Sequence, residues 1–253
     1  MKPRLNHGFS LIELIVVIAI IALLIGILLP VISRIRESGR STVCLANVQQ
    51  WGAAYHMYLA SNRASAMSEP RADSDLAWWE RLAPYIGDPR PLLVCPDARE
   101  PLPGLMRPDG TPRFESRGSA AAAWRSAVVP LTRDTAVRKY IGSYGFNVWV
   151  YHHPFPNMKK LYIQLPTKYA SNVPLLGDCV TAWALPTDGD AVPENLINPF
   201  QGGGVGNYCL DRHQLAVNLV FLDGHAEHIP LQRLWQLKWS ENSIPRDVQL
   251  PAQ

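Results

Sequence analysis

Cysteine is scarce in this chain and never clustered. The four, Cys44, Cys95, Cys179 and Cys209, include no two within four residues of each other. That excludes the close cysteine pairs of zinc fingers and ribbons. Charge is also sparse: the formal net charge is +3, and Lys2 and Arg4 in the first eight residues supply two of those charges. Net charge therefore gives nucleic-acid binding no support, and no nucleic-acid partner is expected. There is no internal repeat of a length that would indicate a solenoid or propeller. Gly-x-Ser-x-Gly and His-Glu-x-x-His are both absent, and the glycines at 202–206 lack the Gly-Lys-Ser/Thr ending of a phosphate loop. A hydrolase reading has no motif behind it, and the chain is expected not to be an enzyme.

One long apolar run is present. From Phe9 to Ile32 only Ser10, Glu13, Gly26 and Pro30 interrupt it, which is enough to span a bilayer as one helix, about 11–32. Glu13 is the anomaly, because a charge near a bilayer centre costs about 2.5 kcal/mol or more. A secretory signal would explain Lys2, Arg4 and the apolar run, but the run ends in "PVISRIRESGR" with no small-x-small cleavage site. A plain uncleaved anchor leaves Glu13 unexplained, and Arg34, Arg36 and Arg40 balance Lys2 and Arg4 across it. Cleavage after Gly8 would instead create a charged amine on Phe9, one helical turn from Glu13, where a carboxylate is favourable.

The stretch "GFSLIELIVVIAIIALL" after a short basic leader resembles the type IV prepilin-type processing and methylation signature. The resemblance implies that a prepilin peptidase cuts after Gly8 and N-methylates Phe9. It makes Glu13 the carboxylate that meets an amine, its own or a neighbouring subunit's, on assembly, and Pro30 a helix kink. A Pro30 that simply marks the membrane boundary is the alternative. The implied partners are prepilin peptidase, other pilin-like subunits and inner-membrane assembly machinery. The implied location is the inner membrane, single-pass, with the head on the extracytoplasmic side.

Beyond Pro30, Cys44, Val48, Trp51, Tyr55 and Tyr58 form an apolar stripe at helical spacing, and a second set runs Ile32, Ile35, Gly39, Thr42, Leu45, Gln49 and Gly52. A helix to about Ala60 is predicted, about 78 Å long from Phe9 at 1.5 Å per residue. The organisation is then a leader (1–8), an N-terminal helix (9–60) and a head (61–253). Twenty-two prolines and 17 glycines indicate many turns in that head, and eight tryptophans with nine tyrosines indicate a real core. "DLAWWERLAPYIG" reads as a short helix, with Trp78 and Trp79 packing. "PLLVCPDA", "KYIGSYGFNVWVY" and "SNVPLLGDCV" read as strands, and 101–118 and 184–207 as loops.

"HQLAVNLVFLDGHAEHIP" reads as a hairpin closed by a two-residue Asp223-Gly224 turn, with Leu222 opposite His225 and Phe221 opposite Ala226. His213 followed nine residues later by Asp223-Gly224 resembles the C-terminal motif of bacterial prepilin-like proteins named for that spacing. "SYGFN", "PLLGD" and "VCPDA" are similar to that family's internal landmarks. His225 and His228 point to opposite faces of a strand and cannot share an ion. Polar pairing of Asp223 with His225 and Glu227, and of Asp211 with His213, is expected rather than a metal site. No cofactor is expected, apart from an open option of calcium at Asp188, Asp190 and Glu194.

The fold class that follows is α+β: a long N-terminal helix, membrane-spanning in its first half, packed on an antiparallel sheet head as in pilins. The implied function is a structural subunit of a type II secretion pseudopilus or a type IV pilus-like fibre. An alternative is a membrane-anchored envelope binding module that uses the prepilin signal for export. In an oxidising compartment two disulfides are plausible. Three connectivities are open, with buried free thiols as the alternative; if both bridges form, Cys44 on the helix and Cys95 on a nearby strand are the first pair to expect, which leaves Cys179 with Cys209.

Overall fold

The computed structural model describes residues 11–67, 76–98, 100–101, 117–128, 138–152, 162–199 and 203–252. The leader with Gly8 and Phe9, and most of the 101–118 loop, lie outside them. The described chain forms two compact units, divided after Gly39.

Helix α1 (Leu11–Ser61) runs through both units and contains Pro30. Residues 11–36 are all exposed, Glu13 among them. This segment is long and apolar enough to cross a membrane. Proline brings no N–H to its own turn, and Ser33 Oγ donates to the Pro30 carbonyl at 2.9 Å. Pro30 therefore lies within the helix rather than at its end.

The second unit is the head, Arg40 onward, and it includes the last six turns of α1. There the helix buries Cys44, Asn47, Val48, Trp51, Gly52, Ala54 and Tyr55, the predicted stripe with only Tyr58 half-buried at its end. The stripe packs on a five-stranded sheet of order β6-β4-β5-β7-β8. Its strands are β4 (Tyr144–Asn147), β5 (Pro174–Asp178), β6 (Trp183–Ala184), β7 (Ala216–Phe221) and β8 (Ala226–Pro230). All neighbours are antiparallel except β4 and β6. A smaller sheet holds β1 (Glu100–Pro101), β2 (Ala122–Val128) and β3 (Arg138–Gly142), in that order. The long helix with a β-rich head is the expected α+β class.

Strand β7 is buried along its whole length because both its faces are covered. Val220 packs toward α1 with Trp51 and Tyr55. Val217, Leu219 and Phe221 enter a second core with Tyr208, Leu234, Trp235 and Trp239. At Gly52 helix and sheet are so close that a Cβ would stand 2.5 Å from Val220 Cγ2.

Helix α2 (Trp78–Ile86) brings Trp78 and Trp79 into the α1-side core. Trp78 packs edge-on to Trp51 at 4.9 Å, and its indole N–H donates to the Ala182 carbonyl at 2.8 Å. Both tryptophans are packing residues, as expected.

Three local expectations need correction. "PLLVCPDA" is a single 3-10 turn (Arg90–Leu92) followed by bends, not a strand. Pro91 and Pro96 remove two ladder donors, and two backbone hydrogen bonds go to one distant residue: Ser143 N–H donates to Leu93 O, and Cys95 N–H to Ser143 Oγ, both at 2.8 Å. The stretch 139–151 is two strands in different sheets, broken at that same Ser143, and then a 3-10 turn.

The C-terminal hairpin is also one residue out of the expected register. Val220 pairs with Ala226, and Phe221 N–H donates to His225 O at 2.9 Å. The loop is therefore Leu222-Asp223-Gly224, with Gly224 at φ 92°, the three-residue type that needs a left-handed residue before the second strand. Leu222 leaves the pairing because its N–H donates to Val173 O at 2.9 Å and its side chain is buried.

Candidate functional site

Four distant stretches meet inside the head. The stripe of α1 contributes Cys44, the Ser143-anchored bend contributes Cys95, β5 ends in Asp178, and the turn before β7 carries His213. All four are buried, and one donor atom from each lies within 4.8 Å of the others. Cys44 Sγ is 3.4 Å from Asp178 Oδ2. Cys95 Sγ is 3.5 Å from His213 Nε2, and His213 Nε2 is 3.2 Å from Asp178 Oδ2.

A second ring of groups holds these four. Arg212 Nη1 meets Asp178 Oδ1 at 2.7 Å, while the same guanidinium donates to the carbonyls of Ala120, Ser143 and Ser119. Asn218 N–H donates to Asp178 Oδ2 at 2.9 Å, and the Asn218 amide reaches Ser41 O on α1 at 3.0 Å. The Tyr144 hydroxyl donates to Cys44 Sγ at 3.3 Å. His213 Nδ1 lies 3.0 Å from Asp97 Oδ2, yet the two do not meet in hydrogen-bond geometry and both are buried without a hydrogen-bond partner. Asp97 is in turn paired with Arg40.

The electrostatics follow from this crowding. Burial opposes ionisation of Asp178, but the charges of His213 and Arg212 outweigh it and hold the carboxyl well below the usual range. Burial likewise opposes a proton on His213, yet Asp178 pushes its pKa up to about 10. For Cys95, burial acts upward, and the contacts with Cys44 and His213 bring the thiol down to about 7. Cys44 is driven well above its ordinary value, first by burial and then by Cys95 and Asp178. Outside the cluster, burial alone raises Cys209 to about 12, and burial raises Cys179 to about 11 against its Thr181 contacts. Cys95 is thus the one thiol of the four that its surroundings push down rather than up.

No disulfide is formed: Cys44, Cys95, Cys179 and Cys209 are all buried free thiols. Cys44 and Cys95 are brought together, but between a carboxylate and an imidazole. His213 and Asp223-Gly224 are not brought together. Strand β7 lies between them, placing the histidine in the cluster and Asp-Gly in the hairpin loop. Asp223 pairs with His225 at 2.6 Å, and His225 lies 4.0 Å from Glu227, as the shared face predicts. Asp211 instead accepts from the Leu215 N–H at 2.6 Å.

Asp188 and Asp190 are spent on loop closure. Asp188 Oδ1 accepts from Ile244 N–H, and Asp190 accepts from the N–H groups of Thr187 and Val205. Among the described residues they form no ion-holding group with Glu194. The cluster of four escaped the sequence reading because no two members lie within thirty residues of each other. The signal present was Cys95, Asp178 and His213 inside three separate family-like landmarks, with Cys44 on the helical stripe.

The exposed apolar segment of α1 is the second functional element, and here comparison decides. Residues 3–29 match the prokaryotic N-terminal methylation motif. The chain thus carries a prepilin-type signal, and the match supports a pilin-like protein. The matched span includes Gly8, Phe9 and Glu13. No curated protein and no solved structure matches the chain.

Proposed function

We propose that this chain is a structural subunit of a pilin-like fibre, a type II secretion pseudopilus or a type IV pilus-like assembly. The methylation motif over 3–29, running straight into a helix whose first 26 described residues are all exposed, carries the reading. An apolar surface of that size needs lipid or protein around it. The signal supplies both in turn, membrane before processing and neighbouring subunits after.

In this reading prepilin peptidase cuts after Gly8 and methylates Phe9. Glu13 then offers its carboxylate to a terminal amine, which neutralises a charge that lipid or filament core would otherwise penalise. The head, with no hydrolase or phosphate-loop motif, is a structural module rather than an enzyme. It faces the extracytoplasmic side, with the inner-membrane assembly machinery and other pilin-like subunits as partners.

Mass spectrometry of the membrane-extracted protein tests this. A chain starting at N-methyl-Phe9 is expected, and Gly8→Val should leave Met1 in place. Intact Met1 in cells with an active peptidase overturns the reading. Processed protein that never enters fibres would favour an anchored binding module instead.

A further inference from the structure

The geometry points to a structural zinc site in the head, with Cys44, Cys95, Asp178 and His213 as its four ligands. Tetrahedral zinc with ligand bonds of about 2.0–2.3 Å sets its donors about 3.3–3.8 Å apart. Three contacts across the cluster are 3.2, 3.4 and 3.5 Å, matching three of the six edges of such a tetrahedron, and all four donors lie within 4.8 Å of one another. Two sulfurs, one nitrogen and one oxygen form a donor set suited to zinc and unsuited to calcium or magnesium.

Charge balance supports the same ion. Two thiolates and a carboxylate around a divalent cation leave one negative charge, and Arg212, hydrogen-bonded to Asp178 and fully buried, cancels it. Without that balance a buried cluster of this kind is costly.

The surroundings are those of a metal site as well. A metal-bound His213 Nε2 leaves its proton on Nδ1, which lies 3.0 Å from Asp97 Oδ2, both atoms being buried without a hydrogen-bond partner. Pairing of these two atoms when the metal binds would complete a carboxylate–histidine–metal arrangement. Tyr144 donates to Cys44 Sγ, and Asn218 N–H to Asp178 Oδ2, so ligands on two elements are oriented from outside. All four ligands are buried, which leaves no open position for substrate and makes the site structural. The ion would clip α1, the bend before the small sheet, β5 and the turn before β7 into one body. Binding of that kind is folding free energy.

The test uses the full chain extracted in detergent, and it does not depend on whether fibres form. Freshly isolated protein should contain equimolar zinc. Dipicolinic acid should remove it with a fall in Tm, and added Zn2+ should restore both. Co2+ in its place should give tetrahedral d–d bands and a thiolate-to-cobalt charge-transfer band. Cys44→Ser with Cys95→Ser should abolish retention, whereas Cys179→Ser with Cys209→Ser should keep it. Asp97→Asn, with all four ligands present, should weaken zinc affinity about tenfold or more. If the Cys44/Cys95 variant does not fold, the cobalt spectrum of the unaltered chain decides. No zinc and no cobalt charge-transfer band, zinc retained without Cys44 and Cys95, or a Cys44–Cys95 disulfide in protein isolated without reductant would each overturn the proposal.

Discussion

Arg212 Nη1 lies 2.7 Å from Asp178 Oδ1, and both side chains are fully buried. The guanidinium also fills three backbone carbonyls from two other segments. It is therefore a hub between the 119–120 turn, Ser143 and β5, not merely a counter-ion.

Removing one partner of such a pair strands the other charge in the core. Arg212→Met is expected to destabilise the head by about 3–5 kcal/mol. Arg212→Lys should recover little, since one ammonium cannot reach four acceptors in the same plane. Urea unfolding followed by tryptophan fluorescence measures both. A loss below 1 kcal/mol for Arg212→Met would show that the hub is not stabilising.

Gly52 sets the distance between α1 and β7. Its missing Cβ would meet Val220 Cγ2 at 2.5 Å, so Gly52→Ala must displace either the helix or the valine. A net cost of about 1–3 kcal/mol is expected from overpacking, despite the better helix propensity of alanine. Val220→Ala in the same chain should recover part of it, because the two residues are in contact and their effects couple. Simple additivity of the two losses would mean that the close approach is not what limits this position.

Glu13 lies within the matched methylation motif. Glu13→Leu makes the segment more apolar, so membrane anchoring should persist or improve. Cleavage after Gly8 should persist too. Assembly should fail, read as less crosslinked oligomer and less protein in sheared fibres. Glu13→Gln should be intermediate, keeping hydrogen bonding without the charge attraction. Normal fibres from Glu13→Leu would show that the acid is dispensable.

The local pattern of residues settled the apolar segment, the stripe from Cys44 to Tyr55 and the strand at β5. Each is written in a short window, as a continuous run or a period of 3.6, and each buries or exposes what that period dictates. The hairpin came within one residue for the same reason. Its final register was decided elsewhere, by Val173 taking the Leu222 N–H. "PLLVCPDA" has strand composition, but it closes local turns, and Ser143, about fifty residues later, takes two of its backbone hydrogen bonds. The cluster of Cys44, Cys95, Asp178 and His213 lies furthest from anything a window can show. Its members sit on four segments whose meeting is fixed only when α1 closes on the sheet. No spacing rule encodes a site whose ligands are joined by loop closure rather than by sequence.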